Sequence, residues 1–430
     1  MCKRRVFLAV LILLGAATVS AAQRDMSADG RIEKLEAEMA TLQAELSQLK
    51  AERARTTEPT APGDRNHATG GAPAAQEKPD AQAVPQWVRR IRVKGDLRYR
   101  HEWTDAELDV KDRNRDRLRA RLSIYGQVNE EIDVGFGLAS GNNESATGTN
   151  QDLSDAFSSK DVWLDLAFFD YQPAFTEGLR VLGGKFANPY FRVGNSDLLF
   201  DADVRPEGFA ATYKKPIDDA VDFFGTVGGH WVEERRTDAD ASLWAVQAGL
   251  DCHPEAFRGT CVTVGAGYFD YGNTEGKPAL GTSALNFRGN NSTGGVYDSD
   301  FDIAQLFVEI ALSLWERPAT IFAEHLKNTR AASGEDAGYL LGACLGKCKQ
   351  PGDWQLAYNY RDLEADAVIG ALAEATFGGG GTAVKGHKIA VMYQLAQNLR
   401  LAAAYMPAER TRSNATMDHD VLLVDLKLKF

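Results

Sequence analysis

Two stretches of sequence decide the fold: RIRVKGDLRYR at residues 90–100 and RLRARL at residues 117–122. In each stretch charged and apolar residues alternate, so an extended strand carries the charges on one face and apolar side chains on the other. Such a strand needs two different environments. A soluble sandwich offers a core and water, whereas a membrane barrel offers lipid and an aqueous lumen. The number of strands and the lengths of the connections decide between these folds.

About sixteen strand-like runs follow residue 90, and most have the length of a strand that crosses a bilayer. Short connections with turn residues, such as Asn129-Glu130 and Gln397-Asn398, alternate with long polar connections. The long connections are 103–115, 141–159, 187–206, 272–300, 362–384 and 407–419. Short turns at one rim and long loops at the other are typical of transmembrane β-barrels. We therefore predict an all-β fold, an antiparallel up-and-down transmembrane barrel of about sixteen strands over residues 88–430.

The first 22 residues have the features of a signal peptide. Lys3, Arg4 and Arg5 precede an apolar run over residues 6–19, which ends in small residues at Ser20-Ala21-Ala22. A buried N-terminal helix is the alternative. Export to an oxidising compartment follows from the signal peptide.

Residues 29–54 carry a heptad pattern, which predicts a short coiled coil. Its apolar positions are Ile32, Leu35, Met39, Leu42, Leu46 and Leu49. A single amphipathic helix lying on the protein is the alternative. Residues 55–87 are rich in Ala, Pro and Gly and predict a flexible linker. With an even strand count both ends of the barrel lie at the short-turn rim, which is the periplasmic side, so we place the coiled coil in the periplasm. Because a coiled coil joins helices of several chains, we expect a homotrimer.

Composition excludes some classes of protein. After the first two dozen residues no run approaches the about 20 apolar residues of a spanning helix, which excludes a helical membrane protein. The formal net charge is −12. An acidic chain argues against nucleic acid or an anionic lipid surface as the target.

Four cysteines follow the signal peptide, and they form two close pairs, Cys252 with Cys261 and Cys344 with Cys348. Four cysteines allow three pairings, of which local pairing is the simplest. A zinc site is the alternative, but the spacings differ from the usual two-residue knuckles and no histidine pair completes the set. We predict two local disulfides, with Cys252–Cys261 closing a hairpin at the periplasmic rim, and no metal.

The last ten residues, VLLVDLKLKF at 421–430, again alternate apolar and charged residues and end in Phe430. A terminal phenylalanine on an amphipathic last strand is what outer-membrane barrels present to their assembly machinery. We therefore assign Phe430 as the assembly signal, and the barrel-assembly machinery and outer-membrane lipid with lipopolysaccharide as partners.

Four segments of the barrel region are distinctive: VKGDLRYR at 93–100, RLRARL at 117–122, GKFANPY at 184–190 and DLLFDADVRPEG at 197–208. Through these segments the chain resembles the Gram-negative putative porin family, whose members join a signal peptide and a periplasmic coiled coil to a large barrel. The resemblance covers about residues 88–430 and implies a barrel in the outer membrane. It implies no disulfide and does not identify a substrate.

The charged faces form the most informative cluster of residues. If the apolar faces meet lipid, about ten cations of the first, second and last strands line one part of the lumen wall, which we call the arginine arc. The arc consists of Arg90, Arg92, Lys94, Arg98, Arg100, Arg117, Arg119, Arg121, Lys427 and Lys429. The solvated face of a soluble sheet is the alternative. Like charges on adjacent strands repel unless water or opposite charge relieves them.

The third long connection, 187–206, is unusually apolar for an exposed loop, so we expect it to fold into the barrel and narrow the lumen. Its carboxylates should then face the arginine arc. They are Asp197, Asp201 and Asp203, with Glu207 just beyond the loop. Fixed charges at a constriction are a source of pore selectivity.

The sequence contains no G-x-S-x-G, H-E-x-x-H or P-loop motif, and its histidines are scattered singly. We therefore predict a protein that is not an enzyme and has no cofactor. The expected function is an outer-membrane porin that passes small polar solutes or ions by diffusion. An export pore with a coiled-coil gate, or an envelope tether whose barrel is only an anchor, are the alternatives.

Overall fold

The computed structural model describes residues 88–107, 112–141, 146–154, 156–257, 259–281, 286–412 and 415–430. The signal peptide, coiled coil and linker predicted over residues 1–87 lie outside these residues. Four short 3-10 helices are present in the described part: Val88–Arg90, Val193–Asn195, Glu255–Phe257 and Phe377–Gly379. No helix among the described residues is long and apolar enough to cross a membrane.

All other regular structure is β-strand. The strands are β1 Ile91–Ala106, β2 Arg113–Gln127, β3 Ile132–Ser140, β4 Gln151–Asp152, β5 Val162–Tyr171, β6 Leu179–Lys185, β7 Glu207–Pro216, β8 Val221–Glu233, β9 Ala241–Cys252, β10 Cys261–Gly272, β11 Ser292–Thr293, β12 Val296–Tyr297, β13 Phe301–Leu314, β14 Arg317–Asn328, β15 Ala337–Gly346, β16 Trp354–Leu363, β17 Val384–Ala396, β18 Leu399–Met406, β19 Ala408–Arg412 and β20 Ala415–Lys429.

The wall of the molecule is a closed antiparallel barrel. Each wall strand pairs with the next along the chain, and β20 pairs with β1 to close the circle. β18 and β19 act as one wall strand interrupted at Pro407, β4 adds a short pairing to β2, and β11 with β12 forms a small hairpin inside a loop. Sixteen wall strands result, which confirms the predicted fold.

The two rims of the barrel differ. One rim carries short turns, such as 128–131, 217–220, 315–316 and 397–398, together with both ends of the barrel chain, and we call it the turn rim. The opposite loop rim carries the long loops 141–161, 186–206, 273–300 and 364–383. This arrangement is the one expected of a membrane barrel.

Two of the predicted long loops are mostly strand. β1 and β2 stay paired into the region predicted as loop 103–115, as far as Thr104 opposite Arg113. In the region 407–419, β19 pairs with β20. Both strands of these hairpins are polar on both faces near their tips, so the alternation on which the prediction depended is lost while the backbone pairing continues.

The strands place apolar side chains outside and charges inside. In β1, Leu97 and Tyr99 are 43% and 46% exposed on the outer surface, whereas Arg98 is only 8% exposed inside. Leu426 and Leu428 of β20 are also exposed, on the same outer face. The outer surface of the barrel wall is therefore suited to lipid.

The core lies inside the barrel, toward the loop rim. Loops 186–206, 273–300 and 364–383 turn inward, and we call them together the inner loops. Their apolar side chains, among them Phe200, Tyr297 and Ile369, pack in one cluster with inward residues of the wall such as Phe269 and Phe322. The inner loops therefore fill much of the lumen beside β9, β10 and β13–β20.

The chain terminus locks the seam between β1 and β20. The amide of Gly95 donates to the carbonyl of Phe430 at 2.9 Å, and the amide of Phe430 donates back at 3.0 Å. A Cβ atom on Gly95 would lie 2.4 Å from the Phe430 ring and 2.8 Å from the carbonyl oxygen of Arg121. The ring of Phe430 therefore covers a position that only glycine leaves open.

We predict that Gly95→Val weakens barrel closure, because the new side chain must displace the Phe430 ring at a cost of about 1–3 kcal/mol. Gly126→Val is the matched control, since its Cβ would meet only Val134 at 3.5 Å. Urea titration of barrels refolded into vesicles measures the free energy of unfolding. Equal stability of the two variants would contradict this account of the seam.

Candidate functional site

The arginine arc lies on three neighbouring strands, β2, β1 and β20. Cross-strand pairing sets Arg98 directly opposite Arg119 on one side and Lys427 on the other, and sets Arg100 opposite Arg117. Directly opposed residues share one face of a sheet, so these cations all point into the lumen. Like charges at this spacing repel, and the arc therefore needs opposite charges nearby.

Carboxylates of the same strands supply much of this charge. Asp96 accepts from Nε of Arg119 at 2.9 Å and from Nε of Arg121 at 2.8 Å. Asp425 accepts from Nε and Nη2 of Arg100 at 2.6 and 2.8 Å. These two carboxylates were not among the residues predicted for the site, although the two-residue period already puts them on the inward face.

Glu102, also on the inward face of β1, holds the part of the arc nearer the loop rim. It accepts from Arg115 and, at 3.2 Å, from Nη1 of Arg117. Nε of Arg117 lies 2.7 Å from Oδ1 of Asp152 on β4. Arg115 was missed in the sequence analysis because it fell in a region read as loop.

Loop 186–206 meets the arc through one carboxylate, Asp203. Its Oδ1 lies 3.3 Å from Nη1 of Arg121 and 3.8 Å from Nη1 of Arg119. The hydroxyl of Thr149, on the second long loop, donates to Oδ2 of Asp203 at 2.6 Å. The neighbouring Asn150 accepts from Arg98. Two inner segments thus contact the same group of guanidinium ions.

The other acidic residues proposed for the constriction lie elsewhere. Asp197 pairs with Arg192 of its own loop, and Glu207 pairs with Lys185 at 2.6 Å at the base of the loop. Asp201 accepts from the amide of Ala375 at 3.0 Å and so fastens its loop to loop 364–383. Burial, with Asp197 and Asp203 nearby, raises the pKa of Asp201 well above its ordinary value.

The remaining cations of the arc lie toward the turn rim. Arg90 and Lys94 are exposed there, and the ammonium of Lys94 lies 5.4 Å from the centre of the Tyr125 ring. Arg92 is 3.6 Å from Asp133 of β3. These three residues therefore lie at the turn-rim mouth of the barrel.

Polar wall residues opposite the arc clamp loop 186–206. Gln247 of β9 accepts from the amide of Phe191 at 2.6 Å and donates to its carbonyl at 3.1 Å. Gln247 also donates to Gln305, which donates to Glu324 at 2.6 Å. These buried residues form no sequence motif, and only their polarity on otherwise apolar inward faces could have identified them.

Loop 364–383 is held in a similar way. Glu374 accepts from Arg361 of β16 and, at 2.7 Å, from Nζ of Lys388 of β17. Asn290 of loop 273–300 donates to the carbonyls of Ala365 and Val368, both at 2.7 Å. The three inner loops are therefore joined to one another and to the wall.

The predicted disulfides are wrong, since all four cysteines are free in the structure. Cys252 pairs with Val262 in the register of β9 and β10. Cys261 is therefore one residue out of step and points to the opposite face of the sheet. Cys344 lies within β15, while Sγ of Cys348, beyond the strand, is 3.7 Å from the carbonyl oxygen of Asp353.

We predict that Gln247→Ala loosens loop 186–206, because it removes both backbone contacts to Phe191 at a cost of about 1–3 kcal/mol. Hydrogen exchange of the Phe191 amide should become roughly 5- to 100-fold faster. Gln394→Ala is the control, since this buried wall glutamine contacts Ala396 and Arg400 instead of the loop. Unchanged exchange at Phe191 would exclude the clamp.

One solved structure supports the fold: Pseudomonas putida OprB matches with a TM-score of 0.53 and 12% identity, covering 80% of this chain and 95% of that chain. The chain is also similar to the Salmonella typhi OmpF complex with daunomycin, with a TM-score of 0.49 and 13% identity, covering 79% of this chain and 97% of that chain.

Comparison of sequences identifies the family. No curated protein sequence matches the chain. The profile of a family described as putative porin matches residues 104–294 and 297–430. Family and fold together indicate an outer-membrane barrel, and a channel rather than an enzyme. The chain belongs to the putative porin family.

Proposed function

We propose that the protein is a porin through which small hydrophilic solutes or ions diffuse passively, with a constriction lined by the arginine arc and by Asp203 of loop 186–206, which contacts the arc. The observation that carries this proposal is the approach of Asp203 to Arg119 and Arg121 inside the barrel. A loop carboxylate paired with wall guanidinium ions sets the fixed charge at the position where the loop narrows the lumen, and such charge is a source of pore selectivity.

The number of strands supports a diffusion channel. A barrel of sixteen strands is wide enough for an aqueous channel, whereas one of about eight is filled by its own side chains. In this barrel the inner loops pack against inward residues of β9, β10 and β13–β20. We assign the lumen beside β1 and β2 of the arc as the path for solutes.

The arc would favour anions. Carboxylates offset Arg100, Arg119 and Arg121, but Lys427 and Lys429 have no carboxylate within 4 Å in the described part of the chain. Excess positive charge along one side of a channel concentrates anions. We propose weak anion selectivity, with no single solute implied.

The proposed partners follow from the surface. We propose that the apolar outer face contacts outer-membrane lipid and lipopolysaccharide, and that Phe430 is the residue presented to the barrel-assembly machinery. A homotrimer remains our proposal for the assembly.

An export pore would be expected to have fewer strands than sixteen, and an envelope tether would carry no steady current.

The test is single-channel recording of the full chain in a planar bilayer, with the reversal potential measured in a salt gradient. Asp203→Asn removes the carboxylate nearest the arc, so conductance should rise and selectivity should shift further toward anions. At about 4 Å in water a unit charge is worth about 1 kcal/mol, or roughly a five-fold change in permeability ratio.

Glu207→Gln is the matched control, because it removes the same charge from an exposed pair at the base of the loop. It should leave conductance and reversal potential close to those of the unchanged protein. A barrel that inserts but carries no steady current would sink the diffusion proposal. Equal changes in conductance and reversal potential for the two variants would show that the constriction is not at Asp203.

A further inference from the structure

A row of cations crosses four adjacent strands of the wall. Arg119 of β2 is opposite Arg98 of β1, Arg98 is opposite Lys427 of β20, and Lys427 is opposite Arg400 of β18. All four side chains share the inward face. At the Arg119 end of the row, Asp96 and Asp203 compensate the positive charge. The charge at the Arg400 end requires a separate source of compensation.

The other end of the row opens into a cavity near the turn rim. The cavity has a volume of about 120 Å³. It is lined by Cys348, Lys349, Gln394, Asn398, Arg400, Lys427 and Lys429. Four of these seven residues are cations, two are amides and none is acidic.

The inward carboxylates of the neighbouring strands are already engaged. Asp96, opposite Lys429 in the register, is bound by Arg119 and Arg121. Asp425 is bound by Nε and Nη2 of Arg100. No side-chain carboxylate of the described residues lies within 4 Å of the charged nitrogens of Arg400, Lys427 or Lys429.

Neutral groups hold Arg400 in place. Its Nη2 donates to the carbonyl of Cys348 at 3.0 Å, and its Nε donates to Oε1 of Gln394 at 3.4 Å. Gln394 is itself fixed by donating to the carbonyl of Ala396 at 2.9 Å. These contacts fix the position of Arg400 while its positive charge is left uncompensated, which is the condition for a preorganised anion site.

We propose that this cavity binds a small multivalent oxyanion, of the class that includes phosphate and sulfate. A guanidinium ion donates to such an anion in a fork, ammonium groups add point charges, and the amides of Gln394 and Asn398 can donate as well. The bound anion replaces the missing carboxylate at the end of the cationic row. A phosphate or sulfate ion is small enough for this cavity of about 120 Å³, whereas a sugar is too large for it.

The anion site lies on the lumen face of the wall. A role of this site in transport rests on the proposed function, because it requires that solutes pass through the lumen. Anion binding itself does not depend on conduction. Binding and current are therefore measured separately, so that failure of one can be told from failure of the other.

The test is isothermal titration calorimetry of the full chain, folded in neutral detergent, with inorganic phosphate in chloride buffer. The unchanged protein should bind one phosphate per chain. Arg400→Gln and Lys427→Gln should each weaken binding by about ten-fold or more, since each removes a charged donor. Lys215→Gln is the control, because Lys215 is an exposed cation at the same rim but on the outer face of β7.

In the bilayer, millimolar phosphate should reduce the chloride current of the unchanged protein and should reduce it less in Lys427→Gln. Absence of phosphate binding would overturn the site even if the channel conducts. Equal weakening by Lys215→Gln would overturn it too, because it would reveal only general attraction to a basic rim. Binding with no current would instead preserve the site and overturn the diffusion channel.

Discussion

The pairing of β1 with β20 is the constraint on which the rest of the structure depends. It closes the barrel, and with closure it fixes which face of every strand meets the outside. A slip of one residue would move Arg117, Arg119 and Arg121 to the outer face, at about 2–4 kcal/mol each near the middle of a bilayer. The contact between Gly95 and Phe430 holds the same register at the chain terminus.

Closure in this register gathers the cations of three neighbouring strands on one side of the lumen. Because like charges on adjacent strands repel, these cations cannot all be left unpaired. Asp96, Glu102 and Asp425 compensate part of the charge from the wall itself. Asp203 compensates more from a loop, and that loop is fixed by Gln247 on the far wall. The arc, the loop and the clamp are therefore parts of one electrostatic arrangement.

Local periodicity predicted the strands, because the alternation of apolar and polar residues within one strand is enough to identify its outer and inner faces. Contacts that depend on how loops fold could not be predicted in this way. Asp201 and Asp203 are two residues apart, yet one fastens loop to loop and the other meets the arc. The cysteine error had another cause: closeness in sequence was used without the register, which puts Cys252 and Cys261 on opposite faces. The clamp at Gln247 involves partners 56 and 58 residues away along the chain.

A double-mutant cycle on single-channel conductance, with Asp203→Asn, Arg121→Gln and the combined variant, tests the central claim most directly. If the ion pair of Asp203 with Arg121 lines the conducting path, neutralising one should reduce the effect of neutralising the other. The account therefore predicts that the logarithms of the two single effects do not add. Strict additivity, with both single variants altering conductance, would contradict it, because the two charges would then act on the current independently.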